Sequence, residues 1–238
     1  MRLSTALEIR SENRPDRCEP CRQGRPPEEN EFTGNFYSKD EMNALFDAVR
    51  GSKIEVAVML TAFYGLRRSE VVGLKWAAVD FEQNTIEICH TVTTVRLDGK
   101  EVLVESNGTK TKSSKRTLPL VPVFRERLLA LQEEQKENRK LCGRCYNKKY
   151  ADYICVDAMG NLLKPDYLSN SFQIILQNYH LRRIRFHDLR HSCASLLLAN
   201  GVPMKMIQEC WDTAISLPLR IFIRIWTTLP RFLRQKRC

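Results

Sequence analysis

The chain has 238 residues, of which 43% are hydrophobic and 28% are charged, a composition typical of a globular protein with a buried core. Its 38 Lys and Arg against 28 acidic residues give a formal net charge of +10, which favours a polyanionic partner, nucleic acid first. The longest apolar run, residues 56–66, is too short to cross a bilayer, and the amino terminus lacks a signal-peptide pattern. We therefore expect a cytoplasmic protein without a membrane partner.

The first ordered element is predicted after an irregular leader or linker. Residues 1–34 are rich in Pro, Arg and Glu and have no apolar periodicity. Ser38 and Glu41 then form a capping box, followed by apolar residues at helical spacing and by Gly51, which closes the helix.

A second helix and a small sheet follow. Ser52 and Glu55 repeat the capping signal, and the predicted helix over residues 54–64 is apolar on nearly all sides, so we expect it to be central. The β-branched, alternating segment "TIEICHTVTTV", the Asp98-Gly99 turn and "EVLVE" predict a hairpin. The segment "KRTLPL" predicts a third strand.

The rest of the regular pattern is helical. Residues 124–140 form an amphipathic pattern, "YICVD" is a short extended piece, and Pro165 opens a helix predicted to continue through Tyr179. The segment "FHDLRHSCASLLLANG" predicts a helix closed at Gly201.

Nine cysteines include two Cys-x-x-Cys pairs, Cys18 with Cys21 and Cys142 with Cys145. This spacing is typical of zinc ligands, but a shared site requires two pairs far apart in sequence to meet. Reduced thiols in a reducing compartment are the interpretation that we favour, and we predict no metal and no other cofactor.

Three segments carry residues suited to binding a phosphate. In "GLRRSEVVGL", Arg67 follows the glycine that ends the buried helix, and Glu70 can orient its guanidinium; a solvated turn is the alternative. Lys110 lies in a basic segment that either faces solvent or contacts a phosphate backbone. In "FHDLRHS", His187 and Arg190 share a face near a helix N-terminus, where a structural histidine is the alternative.

The segments "GLRRSEVVGLKWAAVDF", "KTKSSKRTLPL" and "HDLRHSCASLLLANG" resemble, in this order, the motifs of the tyrosine-recombinase catalytic domain, in particular in integrases of phages and integrative transposons. The resemblance covers residues 36–209. It implies an α+β fold, mainly α-helical, with a small antiparallel β-sheet. It also implies site-specific breaking and rejoining of double-stranded DNA through a 3′-phosphotyrosine.

The resemblance also implies roles for individual residues. In the family, two arginines bind the scissile phosphate, a hairpin lysine protonates the leaving 5′ oxygen, and the histidine of His-x-x-Arg assists proton transfer. By motif, these catalytic roles fall on Arg67, Lys110, His187 and Arg190. Fixed guanidinium donors suit a transition state whose charge lies on the non-bridging phosphate oxygens.

After Glu209 the sequence departs from the family pattern. The family continues with Leu-Gly-His and then with the nucleophilic tyrosine. In this chain the last histidine is His191 and the last tyrosine is Tyr179, which precedes the His-x-x-Arg motif.

The genetic code offers an explanation for the departure. Because tryptophan has a single codon, the triplets read from the last base of the Cys210 codon must encode Leu and then Gly. The next triplet, and the one spanning Phe222 and Ile223, can encode only Tyr or His. We therefore interpret residues 210–238 as a frameshifted tail; a basic amphipathic segment that contacts membrane or DNA is the alternative.

The predicted organisation is a leader (1–34), an incomplete catalytic domain (35–209) and a divergent tail (210–238). Similar integrases carry DNA-binding domains ahead of the catalytic domain, which the short leader cannot supply. Without a nucleophile we expect no recombination by this form. The alternatives are a non-catalytic DNA-binding remnant that modulates full-length integrase subunits, and a peptide that does not fold stably.

Overall fold

The computed structural model describes residues 36–107 and 115–212, and predictions that fall elsewhere in the chain lie outside the described residues. The helices are α1 (Lys39–Val49), α2 (Glu55–Tyr64), α3 (Arg68–Gly73), α4 (Pro122–Cys142), α5 (Pro165–Asn178), α6 (Asp188–Ala199) and α7 (Met204–Asp212). The strands are β1 (Val79–Asp80), β2 (Thr85–Ile88), β3 (His90–Leu97), β4 (Lys100–Asn107) and β5 (Arg116–Pro119). The fold is mainly helical with small antiparallel sheets, as predicted.

The capping signal before α1 forms as predicted. The Glu41 N–H donates to Ser38 Oγ at 3.3 Å, and the Ser38 N–H donates to Glu41 Oε2 at 2.7 Å. Two of the N–H groups that a helix start leaves without intrahelical partners are thereby satisfied.

Helix α2 is central, as its sequence predicted, since all ten of its residues are buried. The second capping box was wrong: the N-cap is Ile54, which makes no side-chain cap. The Glu55 carboxylate instead accepts from the Gly51 N–H at 3.1 Å and from Arg127 Nη2 at 3.1 Å. A buried carboxylate needs a charged partner, and the arginine of α4 supplies it.

The predicted single sheet is two sheets. Strand β2 pairs with β1 and β5 in one sheet, whereas β3 pairs only with β4 among the described strands. The chain changes partners at Cys89, although the inward-facing positions continue in alternation through Ile86, Ile88, His90 and Val92. A period-two pattern indicates which face of a strand is buried, but it does not indicate which strand is the pairing partner.

The core that supports the site lies around α2. Helix α2 packs against α3 and α6, and Phe63 contacts Phe46 and Phe124 at ring-centroid distances of 5.5 and 6.1 Å. This packing holds the carboxyl end of α2 and the amino end of α6 in one place. Within residues 36–107 and 115–212, no helix is long and apolar enough to cross a membrane.

The described residues bear on two further predictions. Helix α7 continues past the boundary that the sequence predicted at residue 209 and includes Asp212, the last described residue. Cys142 ends α4, and it and Cys145 are free thiols. Cys18 and Cys21 lie outside the described residues, and the part of the chain that the structure describes holds no group of three or more metal-ligating side chains.

Candidate phosphate-binding site

The junction between α2 and α3 places Arg67. Gly65 closes α2 in the left-handed conformation (φ 62°), and its N–H donates to the Thr61 carbonyl oxygen at 2.9 Å. Arg67 is the extended N-cap of α3, and its N–H donates to Glu70 Oε2 at 2.8 Å. The guanidinium of Arg67 also reaches this carboxylate, with Nη1 3.3 Å from Oε1. The predicted orientation of Arg67 by Glu70 is therefore present in the structure.

A second arginine holds the other side of the Glu70 carboxylate. Arg116 Nη1 donates to Oε1 at 3.1 Å, and Nη2 donates to Oε2 at 2.8 Å, in a bidentate pair. Burial alone would raise the pKa of Glu70, but the hydrogen bonds and charge of Arg116, with the N–H and charge of Arg67, outweigh it and hold the pKa below its usual value. Glu70 is therefore a fixed anion between two cations.

The burial of Arg116 corrects the expectation from the basic segment. The run of cations from Lys110 to Arg116 favoured a solvated loop, yet Arg116 is 2% exposed. Arg116 and Leu118 share the inner face of β5, since alternate residues of a strand point to one side. The signal for this buried arginine is the alternation of side chains along the predicted strand, which places Arg116 on the same face as Leu118.

Arg190 lies beside the same cluster. It is 7% exposed, and its Nη1 donates to the carbonyl oxygen of Gly65 at the end of α2. Burial, and then the repulsion of Arg67, lower the pKa of Arg190 to about 10, while Glu70 opposes the shift. The two arginines that the sequence singled out therefore lie near enough to repel each other.

His187 is the N-cap residue of α6 and is exposed. Its ring meets the ring of His191 edge to face, with centroids 5.4 Å apart and planes at 86°. Partial desolvation, followed by the charges of His191 and Arg190, lowers the pKa of His187 below 6.5. His187 is therefore a neutral imidazole at pH 7 in the free protein, next to Arg190 on the same side of α6.

Asp188 fixes the start of α6. Its Oδ2 accepts from the Arg185 N–H at 2.8 Å, and the Arg185 guanidinium pairs with its Oδ1 at 2.9 Å. Asp188 is 3% exposed, so this contact secures the turn that presents His187.

An open groove of about 790 Å³ adjoins His187. It is lined by side chains of α3, of α5 and of the segment before α6, namely Arg68, Ser169, Asn170, Gln173, Arg183, Ile184, Arg185, Phe186, His187 and Asp188. Arg68 Nη1 donates to Ser169 Oγ at 2.7 Å across it. Three arginines, Arg68, Arg183 and Arg185, line the groove, and such a basic lining suits a polyanion backbone.

Three guanidinium groups lie close together at the site. Arg67 and Arg116 pair with the Glu70 carboxylate, and Arg190 is near enough for its charge to interact with all three of these groups. A group of fixed guanidinium donors favours an anion with several acceptor oxygens, such as a phosphodiester.

One predicted site residue is not placed. Lys110 lies outside the described residues, as does the predicted tail after Asp212, so their positions stay predictions. Trp211, which was predicted to belong to the divergent tail, also lies at the site. The Arg190 guanidinium carbon lies 4.0 Å from the centre of the Trp211 ring.

A sequence model of the phage integrase family matches residues 35–212. Among curated proteins, the chain is 27% identical over 212 residues to a XerC-like tyrosine recombinase of Caldanaerobacter subterraneus subsp. tengcongensis, covering 85% of this chain and 53% of the relative. It is 28% identical over 187 residues to the tyrosine recombinase XerC of Pediococcus pentosaceus, covering 74% and 52%. The chain therefore spans about half the length of these relatives.

Solved structures show the same fold at low identity. The integrase of the transposon Tn1549, solved in complex with a circular intermediate DNA, matches with a TM-score of 0.62 and 17% identity over 83% of this chain and 63% of that one. At this identity the likeness extends to the fold alone.

Proposed function

The chain belongs to the phage integrase family, and from this membership and the arginine cluster we propose that it is the catalytic domain of a tyrosine recombinase acting on double-stranded DNA. The reaction class is site-specific breaking and rejoining of DNA during integration or excision of a mobile element. The proposed location is the cytoplasm.

The observation that carries the proposal is the grouping of guanidinium groups around Glu70. Arg67 at the start of α3 and Arg190 in α6 lie near enough for their charges to interact, and each is held by a contact within the protein. A phosphodiester transition state develops negative charge on two non-bridging oxygens, and two forked donors fixed in advance stabilise it without reorganisation.

We assign each remaining role to one residue. His187, neutral in the free protein, exchanges a proton with the reacting phosphate; its exposure beside Arg190 supports this assignment. Lys110 protonates the leaving 5′ oxygen, an assignment that rests on its place in the motif. The structures of Tn1549 integrase with DNA support the substrate class.

The sequence after the His-x-x-Arg motif offers no tyrosine, since the last one is Tyr179. We therefore expect this form to bind DNA without forming a covalent phosphotyrosine. This observation favours a second function, a non-catalytic DNA-binding protein that modulates full-length integrase subunits by occupying the same sites.

A nicked suicide duplex that carries the element's crossover site tests both the DNA binding and the expected absence of a covalent adduct. We expect a salt-sensitive gel shift that Arg67→Gln and Arg190→Gln each weaken at least ten-fold, about 1.4 kcal/mol or more per charged contact to phosphate. An exposed arginine away from the cluster, Arg50, gives the matched control Arg50→Gln.

The same gel in SDS detects covalent products. We expect no protein–DNA adduct that resists SDS. Such an adduct would show that this form is active, and it would support the proposed class of enzyme. If the wild-type chain does not shift the duplex, or the two arginine variants shift it equally well, the proposed function is wrong.

A further inference from the structure

We propose that Trp211 is a positioning residue that fixes the plane of the Arg190 guanidinium for phosphate. This inference rests on the proposed function, because it concerns the same arginine. It assigns a role to a residue that the family pattern does not supply.

The Trp211 ring lies against two elements of the site at once. The guanidinium carbon of Arg190 is 4.0 Å from the ring centre. A β-carbon added to Gly65 would lie 2.5 Å from Cε2 and Cζ2 of the indole, so the ring packs directly on the glycine that ends α2. Trp211 thus joins α7 to the carboxyl end of α2 and to the first turn of α6.

The contact with Trp211 leaves N–H donors of Arg190 available for hydrogen bonds. The N–H groups of a guanidinium lie in its plane, whereas an aromatic ring stacks on its face. Within the described residues, Arg190 makes one hydrogen bond, from Nη1 to the Gly65 carbonyl oxygen. The Nε and Nη2 protons therefore remain available to a phosphate. The contacts with the Gly65 carbonyl oxygen and with the indole together determine the direction in which these protons point.

Arg190 needs such support because its surroundings oppose its charge. Burial and the neighbouring Arg67 both disfavour the guanidinium where it stands. The electron-rich face of an indole attracts a cation and offsets part of that cost. Without the ring, the hydrogen bond to the Gly65 carbonyl oxygen would be the remaining described contact that holds the guanidinium in place.

The residue at position 211 depends on the reading frame. The triplet that overlaps Cys210 and Trp211 in the neighbouring frame encodes leucine, as in the family's Leu-Gly-His, so the aromatic face arises from the frame that this protein uses. The first residues of the predicted tail therefore contribute to the site.

A double-mutant cycle on DNA affinity separates positioning from simple packing. The full chain is titrated against a fluorescent duplex at low salt as wild type, Trp211→Leu, Arg190→Met and the double variant. We expect Trp211→Leu to weaken binding roughly five-fold, the equivalent of about 1 kcal/mol for a partly buried cation–π contact. In the Arg190→Met background the same change should have no further effect.

The conservative variant Trp211→Phe retains an aromatic face. Its loss of binding free energy should be less than half of the loss measured for Trp211→Leu. Equal losses for leucine and phenylalanine, or the same loss for leucine with and without Arg190, would show that Trp211 only packs. A wild type that does not bind DNA, or an Arg190→Met variant that binds as wild type, overturns the proposed function instead.

A spectroscopic readout covers the case in which Trp211→Leu does not fold. The Arg190 side-chain N–H signal, assigned by its loss in Arg190→Lys, should be shifted upfield by the ring current of Trp211 in the free protein. The shift should shrink in Trp211→Phe. A signal at the position of a solvent-exposed arginine in the wild type would contradict the stacking.

Discussion

Glu70 and Arg116 face each other in the interior with 1% of each side chain exposed. Removal of one partner leaves the other charged and buried, so Arg116→Met should lower the free energy of unfolding by about 3–5 kcal/mol in urea titrations. The surface pair of Arg68 with Asp166 provides the matched control, and Arg68→Met should cost about 1 kcal/mol or less. An Arg116→Met variant no less stable than the control would show that the pair is dispensable.

His187 should couple DNA binding to pH. Desolvation, His191 and Arg190 lower its pKa below 6.5 in the free protein, and Asp188 only partly opposes them. A bound phosphate favours the imidazolium and raises that pKa, so binding takes up a proton and affinity increases as pH falls from the bound pKa to the free one. We expect at most about one order of magnitude in affinity per pH unit for one proton.

Affinity measured between about pH 5 and 8, with an NMR titration of the free imidazole, checks this coupling. His187→Gln should flatten the profile, while His191→Gln should keep a pH dependence. A free-state midpoint above 6.5 would contradict the lowered pKa.

Single residues of the site were predictable where spacing carries the information. Arg67 with Glu70, and His187 with Arg190, each lie within one helical turn, so local geometry brings them together. Arg116 is 46 residues from Glu70 in the sequence, and no local pattern predicts a partner at that separation. Trp211 was missed because the departure from the family pattern after Glu209 determined how the whole following segment was interpreted.

At the scale of elements, the helices were easier to predict than the sheets. Helix α5 spans Pro165–Asn178 against a predicted end at Tyr179, because proline at its start and periodicity are both local signals. The hairpin turn at Asp98-Gly99 was also predicted, but the break at Cys89 was not. Which strand pairs with β2 depends on β5, a distant segment.

Gly73, the last residue of α3, shows how closely the elements meet. A β-carbon at this position would lie 2.7 Å from the His90 carbonyl oxygen and 2.7 Å from Thr91 Cα, both backbone atoms of β3. Gly73→Ala should therefore cost about 1–3 kcal/mol in unfolding free energy, because backbone cannot give way as a side chain can.

Gly51→Ala is the comparison for the Gly73 variant. That glycine has φ 72° and no neighbour within 4 Å, so only backbone strain of about 1–2 kcal/mol is expected. Amide chemical shifts of His90 and Thr91 should change in the Gly73 variant and stay unchanged in the Gly51 variant. Unchanged stability and shifts on Gly73→Ala would show that α3 and β3 are farther apart than the structure has them.

At the scale of the whole molecule, charge and family point to the same partner. The family was identified from three motifs in order, and the family match over residues 35–212 bears that out. What the sequence left open is what the chain does as it stands, since it spans about half the length of its curated relatives.

The net charge of +10 should make salt act with opposite signs on folding and on binding. Added NaCl screens the repulsion among excess cations, so the melting temperature should rise by about 2–4 °C for each kcal/mol of repulsion relieved. DNA affinity should fall over the same range, because counterions released on binding return to a more concentrated solution. Differential scanning fluorimetry and anisotropy titrations in the same buffers measure both.

The arginine cluster makes this prediction specific. Each guanidinium that contacts a phosphate contributes about 0.9 to the slope of log affinity against log salt, so Arg67→Gln should reduce that slope by about one. Arg50→Gln removes the same formal charge from an arginine paired with Asp47 on the surface, and should leave the slope nearly unchanged. Equal slopes for the two variants would mean that the +10 charge attracts DNA diffusely and that Arg67 makes no phosphate contact.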